Sequence, residues 1–173
     1  TQSAEVGTLV TCPLLRMHPA ITAHAAATAA TMLPGRFFLG LGTGERLNEH
    51  VLGQHWPSAG RRQEMLAEAV ELIRKLWRGA LSSYHGVTYT VENARIYDLP
   101  SELPPIYVAA GGEDAAALAG EAGDGLVTNS VDPDVISQYR SANPDGVVVG
   151  MAHLCWAPSK DEALRTVRHW WPN

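Results

Sequence analysis

The chain has 173 residues, a formal net charge of −5, and 46% hydrophobic against 18% charged residues, enough for one globular domain with a substantial core. The acidic balance, without any basic stripe, argues against a nucleic-acid surface. No apolar run reaches ~18 residues, which argues against a membrane span.

The first five residues lack a basic segment followed by an apolar core, so no signal peptide is read there. Two cysteines far apart, Cys12 and Cys155, fit isolated thiols of a cytoplasmic protein better than a disulfide. Of the 13 basic residues only Lys75 and Lys160 are lysines, which with the many alanines points to a GC-rich bacterial genome.

Residues 7–13, GTLVTCP, form an apolar β-type run that predicts a strand near 7–12. His18-Pro19 opens an alanine-rich helix reaching about Leu33, with proline at the first helical position, where its missing N–H costs nothing. Pro34-Gly35 ends that helix.

The stretch GRFFLGLGTGERLNEH, residues 35–50, then predicts a buried strand at 36–41 that runs into alternating glycines, Gly40, Gly42 and Gly44. Glycines at a strand's C-terminal end let something approach the backbone closely. Glu45, Asn48 and Glu49 follow at once, where an α/β protein places its chemistry. A dinucleotide fingerprint fails here, because its third glycine falls on Glu45.

A long helix from about Ser58 to Arg78 carries Leu66, Ala69, Val70, Ile73, Leu76 and Trp77 on one face, a core stripe that stops at Gly79. Residues 82–99 change character: Val87–Val91 and Arg95–Tyr97 read as β-strands of an antiparallel excursion over 80–103. A strand at 106–110 leads through Gly111-Gly112 into a helix from Glu113 to Ala122. A strand follows at 125–128, then Asp132-Pro133 as a helix opening. The last strand is expected at 147–155, and Ser159 to Glu162 has capping-box spacing before a final helix.

Strands alternating with helices predict right-handed βαβ units and a parallel sheet. About five strands are read, and an eight-stranded barrel typically needs ~250 residues. The pattern alone leaves a partial barrel and a doubly wound sheet both open. The seven histidines are scattered without metal-ligand spacing, so no metal site is expected.

The blocks GRFFLGLGTGERLNEH, EMLAEAVELIRKLWRG, YHGVTYTVENARIYDLP, PPIYVAAGG and AGEAGDGL, in this order, resemble the bacterial luciferase-like superfamily. Within it they are similar to the deazaflavin oxidoreductases that use coenzyme F420, in the glucose-6-phosphate dehydrogenase-like branch. The resemblance covers about Val10 to Gly125. It implies a (β/α)8 barrel of which residues 1–173 form a single incomplete domain. It also implies a homodimer when full length, and a catalytic histidine in an amino-terminal part that this chain lacks.

Position by position, the resemblance makes Glu45 a catalytic carboxylate, acting best in a desolvated pocket. Val10, Cys12, Thr43 and Asn48 then line the cofactor ring. Gly111, Gly112, Asp114 and Ala115 receive its phosphate, although Glu113 and Asp114 equally suit a helix cap. Asn129 and Asp132 fall in the substrate segment. Asp132 stands where the sugar-phosphate members carry a lysine, so the chemistry is carried over and the phosphorylated substrate is not.

The expected activity is hydride transfer between a small organic substrate and F420. Three alternatives are an FMN-dependent monooxygenase of the same superfamily, a non-catalytic fragment, and a glycoside hydrolase using Glu45 and Glu49. In the last, two carboxylates one helical turn apart do not flank a glycosidic bond.

Overall fold

The computed structural model describes residues 3–151 and 153–170; Thr1, Gln2, Ala152 and 171–173 lie outside the described residues. Five parallel strands form one sheet in the order β1 (Val6–Gly7), β2 (Phe37–Leu41), β5 (Ile106–Ala109), β6 (Gly125–Thr128) and β7 (Val147–Gly150). The omitted numbers are β3 (Ser82–His85) and β4 (Thr90–Ala94), an antiparallel hairpin outside the sheet.

Strand order follows chain order without reversal, so every right-handed crossover lies on the same face. The long helices are α1 (Pro19–Met32), α3 (Ala59–Leu76), α4 (Glu113–Ala122) and α5 (Pro133–Ala142). They form one row, α1 on α3, α3 on α4 and α4 on α5. A doubly wound sheet would reverse its order and place helices on both faces. The molecule is a singly wound half-barrel.

Local sequence explains each helix. His18 caps α1, its Nδ1 accepting from the Ala20 amide at 3.1 Å, and Pro19 fills the first turn. The small residues Ala23, Ala26, Ala27 and Ala30 are all buried, which lets α1 lie close to α3; there Trp77 Nε1 donates to the Ala23 carbonyl at 2.9 Å. The expected α3 stripe, Leu66 through Trp77, is buried throughout. Asp132 caps α5, accepting from the Asp134 amide at 3.0 Å.

Several strand boundaries differ from the sequence expectation. The first strand does not continue through 7–12, because the Thr8 side chain replaces the ladder. Its hydroxyl donates to the Gly40 carbonyl at 2.9 Å and accepts from the Gly40 amide at 3.1 Å. Beyond it the Leu9–Val10 peptide is cis, and only Thr11 returns to the sheet, bridging Leu41. The last strand ends at Gly150 rather than 155, its final rung being the Met151 amide to the Thr128 carbonyl at 3.0 Å.

In the excursion, the predicted strands at 87–91 and 95–97 give way to Ser82–His85 and Thr90–Ala94. The Gly86 amide donates to the Tyr89 carbonyl, closing a turn. The Glu68 carboxylate on α3 takes the amides of Thr88 and Tyr89 at 2.8–3.0 Å, so residues 87–89 serve the turn and its latch. Ile96 is buried by packing without being in a strand.

Burial alone pushes the Glu68 carboxyl up, but the Tyr89 and Thr88 hydrogen bonds and the Arg61 charge outweigh it and hold the group below its ordinary 4.5. A depressed folded value contributes stability that is complete above 4.5 and is lost as pH falls through that lower value. Glu68→Gln is therefore expected to lower the melting temperature at pH 7 by roughly 2–4 °C. The gap between variant and parent should close as the pH drops below 4.5, which a melting series against pH checks.

Candidate active site

The C-terminal ends of β2, β5, β6 and β7 open onto a cavity of about 810 Å³. At the strand ends its floor combines main chain and methyl groups at Gly42, Ala109 and Ala110 with the side chains of Val127, Thr128 and Val149. One wall is the 9–12 segment beside β2. This approach is possible because β2 carries glycine there. A Cβ at Gly40 would strike the Thr8 carbonyl, and one at Gly42 would lie 2.6 Å from Val10 Cγ2.

Gly44 turns the chain at φ +73°, where its absent side chain leaves room for Cys12 Sγ. The backbone then enters α2 (Arg46–Glu49), followed by a single 3₁₀ turn at His50–Leu52. Glu45 stands at the N-cap of α2 with extended backbone and makes no capping bond. Its Oε2 accepts a long hydrogen bond, 3.4 Å, from Asn48 Nδ2.

The luciferase-like monooxygenase family model matches residues 1–173. The chain belongs to this family. An F420-dependent glucose-6-phosphate dehydrogenase of Microbacterium testaceum is 37% identical over 185 residues, spanning 99% of this chain and 55% of the relative. An F420-dependent hydroxymycolic acid dehydrogenase of Mycobacterium tuberculosis is 46% identical over 132 residues, spanning 76% of this chain and 37% of the relative. Among solved structures, an F420-dependent secondary alcohol dehydrogenase in complex with an F420-acetone adduct superposes with a TM-score of 0.90 and 31% identity. That match covers 96% of this chain and 54% of the other. The chain thus spans about half the length, or less, of these relatives.

Of the positions singled out in the sequence, Val10, Cys12, Thr43, Glu45, Asn48, Gly111 and Asn129 line this family member's cavity. Gly112, Asp114 and Ala115 do not; they form the N-cap and first turn of α4, next to the rim. Asp132 also lies outside the lining, its carboxylate occupied as the α5 cap. Among the described residues no histidine lines the cavity, and no group of three or more His, Cys, Asp or Glu side chains is placed to hold a metal.

One expectation is corrected. Glu45 is exposed and not desolvated. As the N-cap it projects before the helix begins, whereas Glu49, one turn later, tucks behind Gly44 and is 4% exposed. Glu49 Oε1 pairs with Arg16 Nη2 at 3.2 Å, and both residues line the cavity. The sequence grouped Glu49 with Glu45 and Asn48 at the strand end and weighed it as a partner for Glu45, but gave it no link to Arg16. The available signal was faint, a lone arginine in one loop and one of three charged residues around a four-residue helix.

Burial pushes the Cys12 thiol up. A backbone hydrogen bond at Leu14 opposes the shift, the Glu49 charge adds to it, and Arg16 and Arg62 oppose it. Cys12 therefore stays a neutral packing group and not a thiolate nucleophile.

The Gly44 geometry generates a test. Gly44→Ala would be strained at a positive φ and would push a methyl group against Cys12 Sγ, 2.6 Å away. The expected loss is on the order of 1–3 kcal/mol, measured by chemical denaturation, with Gly60→Ala, where a Cβ meets nothing within 4 Å, as the control.

Proposed function

We propose that this chain is part of a cytoplasmic bacterial oxidoreductase that exchanges a hydride between a small organic substrate and deazaflavin coenzyme F420. The observation that carries this reading is the cavity floor. Main chain and methyl groups at the ends of adjacent parallel strands present a surface that a flat fused ring can approach, with the polar groups Glu45, Asn48 and Thr43 at its edge. F420-dependent relatives at 37% and 46% identity support the choice of cofactor. Two free cysteines support a reducing compartment.

Val10, Cys12 and Thr43 would back the ring, and Asn48 would offer its side-chain amide. Gly111 leaves the rim open, a Cβ there meeting nothing within 4 Å. The free amides at the start of α4, by Gly112, Asp114 and Ala115, would face the cofactor's phosphate. The carboxylates of Glu113 and Asp114 limit that contribution.

When bound, the deazaflavin supplies the site that accepts or gives up the hydride. This chain's own residues orient the ring and the substrate and manage the accompanying proton. Glu45 holds or delivers that proton at a carboxylate oxygen, with Asn48 fixing its direction.

Equilibrium binding of F420, FMN and NADP to the protein is expected to favour F420; tighter FMN binding would move it to the flavin monooxygenases. Glu45→Gln should leave the melting temperature and F420 affinity nearly unchanged while slowing hydride transfer by about a hundredfold. An unchanged rate with a lowered melting temperature would make Glu45 a cap only. Glucose 6-phosphate should be a poor substrate, because Asp132 caps α5 outside the cavity and leaves this segment without the cation that sugar-phosphate members carry. Steady-state kinetics with that sugar check it.

A further inference from the structure

From Glu45 to His55 every side chain is exposed except one, Glu49. The segment comprises a four-residue helix, one 3₁₀ turn and a loop, too short to hold itself in place. An apolar anchor would be the ordinary way to fasten such a piece to the core. Here the apolar residues Leu47, Val51 and Leu52 face outward, and the buried position holds a carboxylate. Its side chain is 2% exposed, one oxygen pairs with Arg16, and the other is buried without a hydrogen-bond partner. Such a group is costly where an aliphatic residue would be free of cost, and breaking the pair leaves a charge stranded.

Arg16 belongs to the loop that follows Thr11 and Cys12 and precedes α1, a different stretch of the cavity lining from α2. Its side chain remains 53% exposed. Together with Glu45 and Glu49 it supplies the charged side chains that line the cavity, and it is the cation among them. The carboxylate therefore does what a leucine in its place would not: it ties two cavity loops together by a directional contact.

We propose that Glu49 is a positioning residue. Its ion pair with Arg16, buried on the carboxylate side and half-exposed on the guanidinium side, fastens α2 to the 12–18 loop and so fixes where Glu45 and Asn48 stand over the cavity. The fastening is a property of the chain itself; its bearing on cofactor binding rests on the F420 reading above.

The experiment is hydrogen exchange of peptides covering 45–55 in the cofactor-free protein, for the parent, Glu49→Gln, Arg16→Met and the double variant. Each single variant is expected to speed exchange in this segment by about tenfold or more. The double variant should add little beyond either, because both remove the same contact. Unchanged exchange in Arg16→Met, or effects of the two singles that simply add, would overturn the proposal. Because Arg16 is half exposed, that variant keeps the test decisive even if Glu49→Gln fails to fold.

F420 titration of the same proteins gives the second readout. A loss of affinity of about tenfold in both singles supports the fastening as part of cofactor binding. Faster exchange in a protein whose parent binds no F420 supports the fastening and overturns the cofactor reading.

Discussion

The closeness of two backbones sets the rest of this structure. The segment from Thr8 to Cys12 lies directly against β2, and the missing side chains at Gly40 and Gly42 make that possible. With any larger residue at Gly40 the Thr8 carbonyl would be displaced, the hydroxyl would lose both its partners, and the cavity wall at Val10 would move with it. Leu39 and Leu41, on either side, are buried and hold the strand from below while Gly40 and Gly42 leave its approach clear. Packing and site geometry thus alternate residue by residue along a single strand.

The hairpin outside the sheet takes part in the same arrangement. Tyr89 reaches from it to donate toward the carbonyls of Pro13 and Leu14, each at 3.1 Å, and its ring meets His18 edge-on. Burial raises the hydroxyl above its ordinary value, so it remains a donor. Glu68 fixes the hairpin to α3 at its other side. The loop between Cys12 and His18 is therefore bonded from outside by a tyrosine and from inside by a carboxylate. α1, capped by His18, starts from a position both of them define.

The helices and the places of the central strands along the chain were legible in the sequence because their determinants are local, whereas the order of strands in the sheet was implied only by the family resemblance. Proline and histidine open α1, serine and aspartate cap α3 and α5, and an apolar stripe marks the inner face of α3. Strand β6 and helix α4 match their expected bounds. The errors fall where a side chain from far along the chain decides the outcome. Thr8 ends β1 by pairing with a residue 32 positions away, and Glu68 captures amides about 20 positions away that would otherwise have extended a strand. At the cavity, the glycine cluster was visible, but the burial of Glu49 and its pairing with Arg16 were not. No periodicity distinguishes Glu49 from Glu45 within a four-residue helix.

A floor made of main chain has an evolutionary consequence. Gly42 contributes no side chain to the cavity, and Ala109 and Ala110 contribute only methyl groups, so this part of the floor takes its shape from backbone hydrogen bonds, the Gly42 amide to the Thr11 carbonyl, the Ala110 amide to the Val127 carbonyl and the β5–β6 ladder. It is therefore insulated from most substitutions that leave the strands intact. Met17, Asn129 and Met151 line the same cavity from loops or chain leaving a strand, and all three are exposed. Exchanging them carries little stability cost, since surface changes away from packed features are usually within about 0.5 kcal/mol. A lineage with this architecture can change which molecules it admits by editing the rim while inheriting the floor unaltered.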